Sequence, residues 1–375
     1  MISTGEAAEK AKAVRRQLHR IAEPSLREKE TAAFLRDLFE KAGIATEDRG
    51  GWFFGRRRAA AGPRKPPVAF VANLDALPIP ETLSLPYASV NLGVSHKCGH
   101  DGHMAALYGL ALALEGRETD RDVYLILEPG EEIGAGGEMC SRLIPEKGIS
   151  EVYAFHNRPG YPLNAVVCRP GRIQCASCGL TVFFHGKPSH ASEPERGCNP
   201  SLAAAELLLR SEAYLRRPHD GLVLLTPVHV LVGSRDFGIS PGEGEVSMTL
   251  RAESGREMAA LEAFVLKTAG DLAARRGLKM TWRESDRFPE TANDAACAEK
   301  VRQCAGALGL PCLPMDAPWR ASEDFGWYTR QCPGAMFYIG SGEDWPDLHT
   351  REYDFNDAVL PAAIGMFLSL CGAGI

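Results

Sequence analysis

The run His96-Lys97-Cys98-Gly99-His100-Asp101-Gly102-His103 packs three imidazoles, one thiol and one carboxylate into eight residues. Those side chains bind a borderline cation such as zinc, manganese or cobalt. Gly99 and Gly102 permit the tight backbone turns that let neighbouring side chains converge. Residues 104–114 are almost wholly apolar and predict a buried helix, so the cluster sits in a loop that feeds a core helix.

Other reactive groups stand where core strands end. The apolar run 122–127 leads into Glu128-Pro129-Gly130-Glu131-Glu132-Ile133-Gly134. Adjacent carboxylates at the end of a core strand are costly unless paired or metal-bound. Their side chains diverge, so one can ligate a metal while the other acts as a general base. Asp75 follows the apolar run 67–73, and ligands of α/β sheets gather at the carboxyl ends of strands. A carboxylate there suits the orienting of a metal-bound His. His156 ends the short run 152–155 and reads either as a ligand or as a satisfied buried His. His349 follows the strand expected at 335–340 after a short Gly-containing loop. His190, in the loop 186–191, reads as a turn histidine or as a donor reaching across a cleft. Glu323, in Ser322-Glu323-Asp324-Phe325, either lines a site or caps a helix.

The elements that must position these groups follow from periodicity. Helices are expected at 6–21 and 28–43, and strands at 67–73, 122–127 and 152–155. The arginines 56–58 and the basic pair 64–65 flank a Gly/Pro/Ala-rich stretch and read as a solvated loop. From 173 the order becomes strand 174–184, helix 200–217, strands 222–232 and 243–252, helix 255–276 and strand 278–284. That is the split β-α-β-β-α-β, ferredoxin-like motif. Helix 293–308, strand 335–340 and helix 359–371 then resume the first pattern. The expectation is an α/β catalytic domain made of 1–172 and 288–375, with an inserted α+β ferredoxin-like domain at 173–287.

A chain of 375 residues exceeds one ordinary core, which agrees with two domains. A formal net charge of -6 argues against nucleic acid or an anionic membrane as partner. No apolar run approaches a membrane span, and residues 1–12 are too polar for a signal peptide. The 11 cysteines are odd in number and have no framework spacing, which points to a reducing, cytoplasmic compartment. Cys175 and Cys178 have CxxC spacing inside a strand-like stretch and read as structural.

Together these segments carry a resemblance. LDALP (74–78), HKCGHDGHMAAL (96–107), EPGEEIGAGG (128–137) and FHNRPGYP (155–162) are similar to motifs of the aminoacylase-type metallopeptidases, peptidase family M20. GKPSHASEP (186–194), SEDF (322–325) and LHTREYDFND (348–357) continue the series, and LHRIAEPSLREKET (18–31) resembles the family's N-terminal helix pair. The likeness covers nearly the whole chain, in order. It is to the amidohydrolase branch, which holds the N-acyl-amino-acid, hippurate and auxin-conjugate hydrolases.

The resemblance implies two divalent metal ions per subunit (Zn, Mn, Co or Ni), held by Cys98, His100, Glu132, His156 and His349. It implies Glu131 as general base and His190 as donor to the developing oxyanion. Asp75 and Asp101 would orient ligands, and Glu323 would face substrate. The inserted domain corresponds to a lid or dimerisation domain, and the partners expected are a small-molecule substrate and a second copy of the chain. The activity implied is hydrolysis of N-acyl amino acids or related small conjugates, the alternatives being a dipeptidase of the same fold or a catalytically silent relative. A covalent mechanism through Cys98 is a further alternative, against which the Glu131–Glu132 pair argues. The chain departs from the family pattern at Val71 and Asn73, where Arg and Asp are usual. It departs again at Gly238-Ile239-Ser240-Pro241, where many members have an Asn-containing turn that contacts substrate.

Overall fold

Every residue of the strand Val68–Asn73 is buried, and so is every residue of Val123–Glu128. Strands apolar on both faces need cover on both, which a parallel sheet flanked by helices provides. In the computed structural model, which describes residues 2–373, the chain forms two units. The first runs from the N-terminal helix through Ile173, with Thr291–Ala317 and the stretch from Asp324 onward. The second is Gln174–Glu290 with Pro318–Glu323. The short segment 318–323 thus groups with the second unit, apart from the residues that flank it in sequence.

The first unit opens with helices α1 (Thr4–Arg20) and α2 (Lys29–Lys41) and a hairpin of β1 (Ala45–Asp48) and β2 (Phe53–Arg57). Then come β3 (Val68–Asn73), α3 (His100–Ala113), β4 (Val123–Glu128) and β5 (Glu151–Arg158). The eight-stranded sheet has the order β1-β2-β4-β3-β5, then Gly334–Gly340, Val166–Val167 and Cys312–Leu313. β4, β3, β5 and Gly334–Gly340 run parallel, so their carboxyl ends share one edge. Asp75, the Glu131–Glu132 pair and His156 arrive at that edge from three of these strands. β2 lies antiparallel to β4. Arg56 and Arg57 therefore belong to a strand and not to a loop, with Arg56 paired to the carboxylate of Asp122.

α3 is buried on nearly all sides and packs against α1 and the apolar helix Leu360–Leu370. The helix begins at His100, so His100, Asp101 and His103 lie in its first turn. Gly99 precedes it with φ 95°, a conformation that favours glycine. A Cβ at Gly99 would also lie 2.5 Å from Asn157 Oδ1 and 2.7 Å from Tyr353 Oη.

The second unit has a four-stranded antiparallel sheet in the order Val223–Val232, Glu243–Ala252, Ala176–His185, Lys279–Phe288. Burial alternates along Glu243–Ala252 because one face meets the helices Ser201–Leu215 and Gly255–Arg275. Val246, Met248, Leu250, Leu261, Val265 and Leu272 belong to its core. Among the described residues, no helix is long and apolar enough to cross a membrane.

Candidate metal centre

Cys98 sits at the middle of the cluster. Its Sγ lies 3.4 Å from His156 Nε2 and 3.3 Å from His349 Nε2. His100 Nε2 lies 3.6 Å from Glu131 Oε2 and 3.9 Å from Glu132 Oε1, and His349 Nε2 lies 3.7 Å from Glu132 Oε2. Three sets of ligand-capable atoms result, each within 4.8 Å: Cys98, His100 and His156; Cys98, Glu132 and His349; His100, Glu131 and Glu132. All six residues belong to the first unit, and the structure brings them together from three strand ends and one helix start.

Hydrogen bonds fix which ring nitrogen is available. His100 Nδ1 donates to the Asp75 carbonyl oxygen at 2.9 Å, and His156 Nδ1 donates to the Asn157 carbonyl oxygen at 2.8 Å. In both rings Nε2 is then the unprotonated nitrogen, the form a metal ligand requires. His103 is committed elsewhere: its Nε2 donates to Asn157 Oδ1 at 2.6 Å, and Asn157 Nδ2 donates to Tyr353 Oη. His96 is buried and belongs to none of the ligand sets. The cluster of three histidines thus contributes one ring, His100, to the centre.

Asp75 lies fully buried behind the candidate ligands. Its Oδ2 accepts the Glu132 N–H at 3.0 Å and the Ser25 hydroxyl at 2.7 Å, and its Oδ1 is 3.4 Å from His100 Nδ1. Burial alone would raise its pKa, but His100, then Ser25 and the Glu132 N–H, hold it below the usual value.

Asp101 points the other way. It accepts from Arg15 at 3.2 Å, from His19 Nδ1 at 2.8 Å and from the Gly102 N–H at 2.9 Å, anchoring the start of α3 to α1. His19, Asp101 and Asp354 also have metal-like spacing. Arg15, 2.8 Å from Asp354 and wholly buried, already supplies the cation there. Lys97, equally buried, donates to Glu81 Oε1 and to the Tyr353 carbonyl, both at 2.8 Å. Sequence patterns carried no signal for Arg15, His19, Glu81 or Lys97 as members of one network.

The donor set of the centre fits divalent cations. Glu132 Oε1 is buried without a hydrogen-bond donor, and burial raises the Glu132 carboxyl. Burial, then His100, lowers His349 and pulls His156 down to about 3. The His156 and His349 imidazoles are therefore neutral at neutral pH, and a bound cation would favour the ionised form of the Glu132 carboxyl that burial disfavours.

The other two sequence-derived residues lie in the second unit. His190 is exposed, on the short strand Ser189–His190 paired to Ile239–Ser240. That pairing sets it beside the turn at which the sequence departs from the family pattern. Its Nδ1 accepts the Ser192 N–H at 3.1 Å and lies 2.7 Å from Ser192 Oγ, so Nε2 carries the proton in the neutral ring. Glu323 is buried in the segment Pro318–Glu323.

A largely parallel α/β sheet with thiol, imidazole and paired carboxylates at its carboxyl edge is the framework of a metal-dependent hydrolase. The chain belongs to peptidase family M20/M25/M40, whose model matches residues 69–372. It is 29% identical over 364 residues to an N-acetyl-L-cysteine deacetylase of Bacillus subtilis, covering 95% of this chain and 86% of that protein. It is 27% identical over 367 residues to an N-acetyldiaminopimelate deacetylase of Exiguobacterium sibiricum, covering 94% and 96%. Among solved structures it resembles a dinuclear metal-binding M20 peptidase of Bacillus subtilis, with TM-score 0.82, 24% identity and 98% of each chain covered. It also resembles an aminobenzoyl-glutamate utilization protein of Klebsiella pneumoniae, with TM-score 0.75, 19% identity and 98% and 97% covered.

Proposed function

We propose that the protein removes the acyl group from N-acyl amino acids or closely related small conjugates, using two divalent metal ions. The observation that carries this reading is the position of Cys98 Sγ, 3.4 Å from His156 Nε2 and 3.3 Å from His349 Nε2, with the Glu131–Glu132 pair alongside. Cys98, His100, Glu132, His156 and His349 would hold the ions. When bound, the ions polarise the acyl carbonyl and acidify the attacking water. Glu131 takes a proton from that water as the C–O bond forms. It returns the proton to the amide nitrogen as the C–N bond breaks, so a carboxylic acid and a free amine leave. His190 offers Nε2–H to the oxyanion that develops, the tautomer being supported by its contacts with Ser192. Asp75 orients His100 and Glu132, Asp101 fixes the helix start that carries His100, and Glu323 faces substrate.

The deacetylase names of the two relatives favour a small acyl group over a second amino acid. A homodimer through the inserted domain is supported by the edge strand Val223–Val232, which exposes Val228, Val230 and Leu231. A cytoplasmic location is supported by 11 free cysteines.

The test is hydrolysis of a panel of N-acetyl amino acids, N-benzoyl amino acids and dipeptides. It uses metal-loaded protein, chelated protein and Glu131→Gln. The expected result is deacetylation that chelation abolishes and Mn, Zn or Co restores. Full activity in chelated protein or in Glu131→Gln overturns the mechanism, and exclusive cleavage of dipeptides overturns the substrate class.

A further inference from the structure

The turn between α1 and α2 touches two of the strand exits at the centre, those of β3 and β4, although it lies ahead of residue 69, where the family match begins. Pro24 pairs with Ala76 in an isolated parallel bridge, and the Ala76 N–H donates to the Glu23 carbonyl at 2.8 Å. The next residue, Ser25, donates its hydroxyl to Asp75 Oδ2 at 2.7 Å. That carboxylate oxygen is the one that accepts the Glu132 N–H. Three residues further on, Glu28 Oε1 accepts the Gly130 N–H at 2.8 Å. Gly130 has φ 67° and begins the 3-10 turn Glu131–Ile133. Leu26, itself at φ 62°, lies against Gly130 so closely that a Cβ there would stand 2.9 Å from Leu26 Cδ2.

We propose that Ser25 and Glu28 are positioning residues of the centre, setting the aim of Asp75 and of the Glu131–Glu132 turn. The inference rests on the reading that Glu131 is the base and Glu132 a metal ligand.

Three physical arguments carry it. Asp75 is wholly buried, so each donor to its carboxylate counts for more than on the surface. Without Ser25, Oδ2 keeps only the Glu132 N–H and Oδ1 only its 3.4 Å contact with His100 Nδ1, so the carboxylate is held less tightly. Gly130 faces a similar loss, because a glycine peptide at positive φ has no side chain of its own to hold its angle. Packing holds the turn only in part, through Leu26 against Gly130. On the outer side of the turn Leu26, Glu28, Trp52, Phe53, Pro129 and Met139 border a cavity of about 450 Å³. Burial raises the Glu28 carboxyl to about 7, so both protonation states occur near neutrality. Either state presents an acceptor oxygen to Gly130, which makes Gln the fair isostere and Leu the disruptive one.

The experiment compares Ser25→Ala, Ser25→Thr, Glu28→Leu and Glu28→Gln with the unaltered protein. Mn(II) and Zn(II) dissociation constants are measured on metal-free protein by competition with a chromogenic chelator. kcat and KM follow on the best N-acyl amino acid of the panel, with thermal midpoints as a folding control. Ser25→Ala is expected to weaken metal binding roughly 10–100-fold, and Ser25→Thr to restore it. Glu28→Leu is expected to lower kcat about 10-fold or more with KM nearly unchanged, and Glu28→Gln to stay close to wild type. Wild-type metal affinity in Ser25→Ala, or equal kcat in Glu28→Leu and Glu28→Gln, overturns the proposal. Should the unaltered protein bind metal yet cleave nothing in the panel, the substrate reading fails. The Ser25 affinity comparison then still decides the positioning role.

Discussion

The Lys97 carbonyl accepts the His349 N–H at 2.7 Å. One backbone hydrogen bond therefore joins the loop that carries Cys98 to the segment that carries His349. His349 holds φ 63°, an uncommon angle for a residue other than glycine. The Lys97 side chain secures the same junction by donating to Glu81 and to the Tyr353 carbonyl.

Removing that buried cation takes the donor from the Tyr353 carbonyl and leaves Glu81 with His19 and the Leu83 N–H alone. Lys97→Met is expected to cost on the order of 3–5 kcal/mol in urea unfolding, a loss typical of breaking a buried ion pair from one side. Unfolding free energy within about 1 kcal/mol of wild type would show that water satisfies Glu81 and Tyr353 instead.

Cys98 belongs to two ligand sets, whereas His156 and His349 belong to one each. Metal analysis after gel filtration is expected to find less than one Mn per chain in Cys98→Ala. His156→Ala and His349→Ala should each retain about one, since each leaves a complete second set. Equal stoichiometry in all three variants would show that Cys98 is not shared.

Glu131→Gln should separate chemistry from binding. Loss of a general base is expected to lower kcat by roughly 10²–10⁴-fold. Metal content should stay at the wild-type level, because the substitution leaves both Cys98-containing sets whole. A variant that also loses metal would assign Glu131 as a ligand.

Stability is expected to depend on pH through the buried network beside α3. Burial alone would lower His19, but hydrogen bonds with Asp101 and Glu81 outweigh it and raise it from 6.5 to about 9. Its stabilisation is complete below pH 6.5 and is lost as pH rises through 9. Glu81 is the converse. Burial would raise it, yet His19 and Lys97 draw it from 4.5 down to about 2, so its contribution is complete above 4.5 and lost as pH falls through 2. Unfolding free energy should therefore fall on the alkaline side. His19→Gln should remove on the order of 2–3 kcal/mol of that fall. Parallel pH curves for the two proteins would rule out His19 as the source.

Close packing at the helix start gives another expectation. A Cβ on Gly102 would lie 2.2–2.4 Å from ring atoms of Phe355. Gly102→Ala should cost about 1–3 kcal/mol by overpacking, and Phe355→Leu in the same chain should recover part of it. Additive losses in the double variant would argue that the two positions do not meet.

What the sequence revealed was the chemistry and the strands that aim it. Val68–Asn73 and Val123–Glu128 are continuous apolar runs of strand length, each followed by carboxylates, so both the sheet and its active edge could be read locally. The hairpin β1–β2 was missed, because Phe53–Arg57 ends in arginines that resemble a solvated loop. Only pairing with β4 and the ion pair to Asp122 makes it a strand. The network of Arg15, His19, Glu81, Lys97 and Asp101 was equally hidden. Its members are ordinary polar residues on α1, in loops and on α3, and only the tertiary fold buries them together. The grouping of 318–323 with the second unit leaves no local trace either.

Cys98 and His349 are separated by 251 positions, with the whole second unit between them. At ordinary translation rates a ribosome needs roughly 10–50 s to add that stretch. Throughout that interval the emerging chain holds Cys98, His100 and, later, His156, but no His349. A nascent chain thus has the Cys98, His100 and His156 set available before the Cys98, Glu132 and His349 set can close, so the second set waits on the synthesis of His349.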